Sequence, residues 1–307
     1  MRYRGPDVRV LGEGPPDVPA RPPDPAEQPD RRTGRRPHEG RPDTGVVGRQ
    51  AALLEQALRN HPAEHRLVVA TGASNVTGEH WPIERLAALA HEHDARFALD
   101  AAQVVPHRRV DIEAIGADWI AFSGHKIYAP FGAGVLVGRS DWLDAAEPYL
   151  AGGGATARVD LDTTEWTHGP ARHEAGSPNV LGAVALATAC EIVSEHERAI
   201  RDHEQALRIR LLAGLAEIEG VRVHTLFGGG DGAPVATITV DGHDSAEVAR
   251  VLGDDHGIGV RDGKFCAHLL VDDLLSETEH DTAVRISAGL GTTPEHIDRL
   301  LAALRSL

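Results

Sequence analysis

The stretch WIAFSGHKIYAPFGAGVLVG, Trp119 to Gly138, is two short apolar runs joined by a polar tetrad, Ser123-Gly124-His125-Lys126, and a glycine-containing connection. Apolar runs of this length, bounded by turn residues, read as buried strands. The same grammar extends upstream, where AALLEQALRN reads as a helix and HRLVVATG as a strand. WPIERLAALAHEHDA then reads as an amphipathic helix with Pro82 in its first turn, and RFALDAAQ as a further short strand. Strands alternating with helices imply an α/β fold built on a mostly parallel sheet covered on both faces. In such sheets ligands gather beyond the carboxyl ends of the strands. Three polar clusters stand at that position: Ser74-Asn75, Asp100 with Gln103, and Ser123 to Lys126.

Downstream, a loop-rich region follows Gly152-Gly153-Gly154. Helical spacing then runs from NVLGAV to LAGLAEI, long enough for two helices. Beyond Gly220 the elements shorten: VATITVDG, GIGVRDG and AVRISAG read as strands, SAEVARVLGDDHG and TPEHIDRLLAALRSL as helices. The expected organisation is an α/β cofactor-type domain over residues 50–200 and a smaller α+β domain over 201–307. Residues 1–49 are different, holding ten of the 19 prolines and almost no apolar periodicity after VRVLGEG. They are expected to be an irregular, truncated or disordered segment.

Composition excludes some partners. A formal net charge of −15 argues against nucleic acid or an anionic membrane, and no apolar run is long enough for a membrane span. Two cysteines, Cys190 and Cys266, and no leader-like segment are expected of a cytoplasmic protein with a small-molecule partner.

The lysine of SGHK carries the chemical argument. Lys and Arg total 31, of which only Lys126 and Lys264 are lysine, leaving 29 arginines. Arginine serves salt bridges and phosphate contacts as well as lysine does, but its guanidinium stays protonated and cannot act as an amine nucleophile. A lysine at the ligand edge of a sheet is therefore a candidate to form a Schiff base, given enough burial to weaken its ammonium form. A protonated pyridine ring would need a carboxylate such as Asp100. Each residue also has a plainer reading: Asp100 as a cap for the following turn, Asn75 as a turn residue and Ser123 as a cap.

Taken in order, ATGASNVTG, LDAAQ and FSGHKIYAPFGAG resemble the class V aminotransferase family of the type I pyridoxal-phosphate fold, most closely its cysteine desulfurase and selenocysteine lyase branch. The resemblance runs from about Leu67 to the C-terminus. It implies pyridoxal 5'-phosphate as cofactor, Lys126 as the lysine that holds it, and Asp100 at the pyridine nitrogen. Asn75 and Gln103 would bind on the ring-oxygen side, and Ser123 and His125 the phosphate. It also implies a homodimer with shared active sites, with Thr164 reaching the partner's phosphate. In VRDGKFCAHLL, Arg261, Gly263, Cys266 and Ala267 match the loop that presents the catalytic cysteine of type II desulfurases. A thiolate there would take sulfur from a cysteine-type amino acid as a persulfide and pass it to a sulfur acceptor. Arg285 and Arg261 would then be the substrate-binding residues, Arg285 as a bidentate clamp for the α-carboxylate. Aminotransferase, epimerase or other lyase activity, or an inactive truncated member of the family, are the alternatives. No phosphate-binding helix start or ring-stacking histidine is recognisable before Asn75; His38 lacks the matching context.

Overall fold

The computed structural model describes residues 46–307. The irregular segment expected over 1–49, with RVLGEG and His38, lies outside the described residues except for its last four. Those four are helical: α1 is Val46–Asn60, starting five residues before the helix AALLEQALRN read from the sequence. No proline interrupts the amide N–H series after Pro42, so the helix can extend upstream through Val46.

The first sheet is made of β1 (Leu67–Thr71), β2 (Arg96–Asp100), β3 (Trp119–Ser123) and β4 (Gly134–Gly138), adjacent in that order. β1, β2 and β3 run parallel, and β4 returns antiparallel to β3. Between β1 and β2 lies α2 (Ile83–Glu92), whose Ile83, Leu86, Ala87, Leu89 and Ala90 are buried as the 3.6-residue period requires. They pack with Leu54 and Leu58 of α1 on Val68, Ala70, Phe97, Leu99 and Ile120 of the sheet. The alternating residues Val69, Ala121 and Leu136 remain exposed, so among the described residues one face is covered and the other is open in part. That corrects the expectation of two covered faces.

A one-turn helix, α3 (Ile112–Ile115), leads into β3, and α4 (Asp141–Ala145) follows β4. Then come a hairpin of β5 (Thr156–Val159) and β6 (Thr164–Trp166) and two long helices, α5 (Val180–Glu195) and α6 (Glu197–Ala216). None of the helices among the described residues is long and apolar enough to cross a membrane.

The second sheet is antiparallel, ordered β7 (Val221–His224), β8 (Val235–Val240), β10 (Ala283–Ser287) and β9 (Arg261–Gly263). α6, α7 (Ser245–Asp254) and α9 (Pro294–Leu304) close its apolar side through Leu207, Leu211, Val248, Leu252, Leu300 and Leu301. Gly214 of α6 lets α9 approach, since a Cβ there would fall 2.2 Å from Leu301 Cδ1. α8 (His268–Leu274) packs with Phe265 and Val76 in a separate small cluster.

The segment after β1 ties the two sheets together. Gly78 accepts the Ala233 N–H at 2.8 Å, and His80 donates its amide to Asp231 at 3.2 Å. Gly78 has φ +75° and a Cβ there would meet the Ala233 carbonyl at 2.8 Å, so only glycine fits. Between them Glu79 is 1% exposed, and its carboxylate accepts the amide N–H groups of Leu226, Phe227 and Gly229 at 2.5, 2.8 and 2.9 Å. Thr237 of β8 adds a hydroxyl donation to the Val76 carbonyl at 2.5 Å. Truncation by Glu79→Ala leaves three part-buried amide donors without their buried carboxylate and should cost about 3 kcal/mol. That corresponds to a Tm roughly 6–12 °C lower by circular dichroism; an unchanged Tm would remove Glu79 from this account.

Candidate active site

The polar tetrad is held by the strands on either side of it. β3 and β4 pair through Ser123 and Gly134, and the Gly124 N–H continues the ladder to the Ala133 carbonyl at 2.8 Å. A side chain at position 124 would meet that carbonyl at 2.9 Å, which accounts for the glycine of SGHK. Gly124–Ile127 then forms a single 3-10 turn, and Ile127 is buried against Ala129 and Leu186 of α5. Tyr128 leaves the turn at φ +67°, with its phenol oxygen accepting the Leu290 N–H at 3.1 Å. Phe131 is also left-handed, at φ +70°, and its carbonyl accepts the Asn179 amide at 2.7 Å. Lys126 thus projects from a turn pinned on both sides.

The Lys126 amine donates to Gln103 Oε1 at 2.9 Å. Burial pushes it below the ordinary lysine range; the charge of Asp100 opposes this and that of Arg285 adds to it. Asp100 is exposed at the end of β2, and its Oδ1 accepts the Ala102 N–H at 3.0 Å, so the plain capping role also holds.

The second sheet brings the arginines to the same place. Arg285 on β10 donates through Nη1 to the Asn75 carbonyl at 3.0 Å, while the Asn75 side-chain amide donates to the Phe265 carbonyl at 3.1 Å. The Arg285 guanidinium also stacks 5.6 Å from the Phe265 ring centre. Arg261 on β9 is the cross-strand partner of Arg285, and its Nη2 donates to Cys266 Sγ at 3.3 Å. Phe265 and Cys266 are both left-handed, at φ +54° and +61°, which turns the exposed Cys266 out of the strand line. Burial first, and then neighbouring Arg261, push the Arg285 guanidinium below its usual range.

Two like charges directly across a strand pair repel. Among the described residues neither arginine has a carboxylate partner, and Arg285 Nε is buried without a hydrogen bond. Such a pair is suited to an added anion, above all a planar carboxylate.

Asn75, Asp100, Gln103, Lys126, Arg261, Cys266 and Arg285 therefore lie in one connected group. Ser123 and His125 both precede Lys126 in the chain, and their side chains make no hydrogen bond among the described residues. Thr164 is exposed on β6, and among the described residues no side-chain hydrogen bond joins it to this group. Lys264 pairs with Asp272, and Cys190 packs on the Ile127 cluster. Sequence reasoning missed His107 and Glu204, which lie behind Gln103: His107 Nδ1 is 2.8 Å from Glu204 Oε2. The two are 97 residues apart and share no local motif that could have joined them. A cavity of about 370 Å³ opens beside this pair, lined also by His80, Arg108 and Arg201, away from Lys126.

The family model for the class V aminotransferases matches residues 44–300. A Vibrio cholerae protein named "Probable cysteine desulfurase" is 38% identical over 240 residues, 78% of this chain and 57% of its own length. The cysteine desulfurase of Klebsiella pneumoniae is 37% identical over 244 residues, 79% of this chain and 58% of its own. The chain thus spans a little over half the length of the curated relatives it matches. Among solved structures, the apo cysteine desulfurase of Thermococcus onnurineus superposes with a TM-score of 0.76 at 31% identity, covering 87% of this chain and 64% of that one. A cysteine desulfurase of Escherichia coli gives 0.72 at 27% identity, covering 82% and 61%. Sequence, fold and the lysine-centred group agree: the chain belongs to the class V aminotransferase family of pyridoxal-phosphate-dependent enzymes.

Proposed function

We propose that this chain binds pyridoxal 5'-phosphate on Lys126 and removes sulfur from a cysteine-type amino acid, with Cys266 as acceptor. The observation that carries the reading is the joining in one group of Lys126, the thiol of Cys266, and Arg261 and Arg285, which have no carboxylate partner among the described residues. The residues suit the cofactor chemically. Lys126 is an amine weakened by burial, and one carboxylate oxygen of Asp100 makes no hydrogen bond among the described residues. When bound, the cofactor supplies an electron sink at the amino acid's α-carbon. Asp100 would hold a proton at the ring nitrogen, Gln103 and Asn75 would bind the ring-oxygen side, and Ser123 and His125 the phosphate. Arg285, backed by Arg261, would take the substrate carboxylate. Lys126, its ammonium form weakened by burial, would move protons as the base. Cys266 Sγ would then bond to the substrate sulfur as the carbon–sulfur bond breaks, the bonding pair staying with the carbon skeleton, which leaves as alanine after protonation. The outer sulfur of the persulfide so formed would then pass to a sulfur acceptor, returning the Cys266 thiolate.

In this reading residues 50–200 form the cofactor domain and 201–307 the small domain. Separate apolar clusters on the two sheets support that division. A homodimer accounts for the exposed apolar residues Val180, Leu181 and Val184 of α5 and Val159 and Leu161 beside β6. Thr164, on the same hairpin, would contact the partner's cofactor phosphate. Two free thiols suit a reducing, cytoplasmic setting.

Purified protein given pyridoxal phosphate should turn yellow as the cofactor bonds to lysine. Lys126→Ala and Lys126→Arg should both stay colourless, since a guanidinium does not give up its proton; a colourless wild type would end the proposal. Alanine formation from cysteine in a single turnover should fall by about two orders of magnitude in Cys266→Ala, while full activity in that variant would exclude the persulfide route. Sedimentation should find a dimer that Leu181→Asp converts to monomer; a monomeric wild type would overturn the shared-site reading.

A further inference from the structure

Resting on the reading of Lys126 as the cofactor's lysine, we propose that His107 and Glu204 are a positioning pair that sets which atom of the Gln103 amide faces the Lys126 amine. Four side chains from three elements lie in one row. Lys126 Nζ is 2.9 Å from Gln103 Oε1, Gln103 Nε2 is 3.4 Å from His107 Nε2, and His107 Nδ1 is 2.8 Å from Glu204 Oε2. Gln103 and His107 come from the turns after β2, Glu204 from α6 and Lys126 from the 3-10 turn after β3.

The inventory of donors sets the direction of the row. A lysine ammonium only donates, so the amide oxygen faces it. The amide NH₂ then faces His107 Nε2, which must accept, and the ring proton therefore sits on Nδ1 and is donated to Glu204. Glu204 is 4% exposed and the His107 side chain 10%, so water competes little for these bonds. Were the ring proton on Nε2 instead, the amide would turn over and present N–H to Lys126. The buried carboxylate thus acts on the active-site amine through two intervening side chains.

Other charges bear on the row. Asp100 and Arg285 act on Lys126, and the His80 ring lies close enough to His107 to be affected by it. Glu204, whose Oε1 has no hydrogen-bond partner, lines the cavity with Glu84, Arg108, Arg201 and Asp231. The cations Arg108 and Arg201 are engaged by Asp231 and Glu197.

The presence of only two lysines makes the test direct. The chain, labelled with ¹³C,¹⁵N-lysine and without added cofactor, shows two lysine side-chain signals, and Lys264→Arg assigns them. An oxygen that accepts from the ammonium favours the charged form, so losing its orientation lowers the Lys126 midpoint. His107→Phe is expected to lower it by about half a pH unit or more, and Glu204→Gln by less in the same direction, with Lys264 unmoved as the control for folding. A Lys126 midpoint that is unchanged or raised in folded His107→Phe overturns the proposal. On the wild type alone, ¹⁵N shifts of His107 should report the Nδ1–H tautomer, and an Nε2–H tautomer overturns it equally. Because no cofactor is used, failure here leaves the desulfurase reading intact, and a colourless protein in the cofactor experiment removes the premise about Lys126 without altering these midpoints.

Discussion

The buried carboxylate of Glu79 is the interaction on which the site depends. Three amide N–H groups of the 226–229 loop converge on it, and the chain on either side pairs with Asp231–Ala233. This joins the parallel sheet to the antiparallel one within a few residues of Asn75. It is why Asn75, which follows β1, can exchange hydrogen bonds with Arg285 of β10 and with the loop of Cys266, about two hundred residues later. A charged acceptor buried among backbone donors is costly to disrupt, which makes the junction a firm point of registration between the two sheets.

From that junction the electrostatics of the site follow. The first sheet contributes an amine whose proton is weakened by burial; the second contributes two guanidiniums held side by side by strand register. Neither sheet alone holds both the amine and the arginine pair. Phe265 links them further, with its carbonyl on Asn75, its ring under Arg285 and its left-handed backbone setting the direction of Cys266.

Much of the fold was legible because its signals are local. Apolar period distinguished α2 from β2, and the glycine and proline punctuation around SGHKIYAPFGAG marked the end of β3 and the start of β4. The VRVH strand was missed because only two of its four residues are apolar, too few for a period to register. The open face bearing Val69 and Leu136 was missed because strand alternation alone does not say what covers each side. Within the site, Lys126 could be singled out by its amine chemistry in a chain that otherwise uses arginine. His107 and Glu204 could not, because a histidine in a turn and a glutamate in a long helix are each ordinary until the fold brings them to 2.8 Å.

The sequence by itself determined most of the element types, the family resemblance and the candidate reactive groups, since these depend on side-chain chemistry and short-range periodicity. Only the tertiary structure decided which of those groups share a site. It set Arg261 opposite Arg285 through strand pairing, left Thr164 on an exposed hairpin, and placed Glu204 behind Gln103. Each of these is a contact between distant segments, governed by sheet register and helix packing rather than by any neighbouring residue.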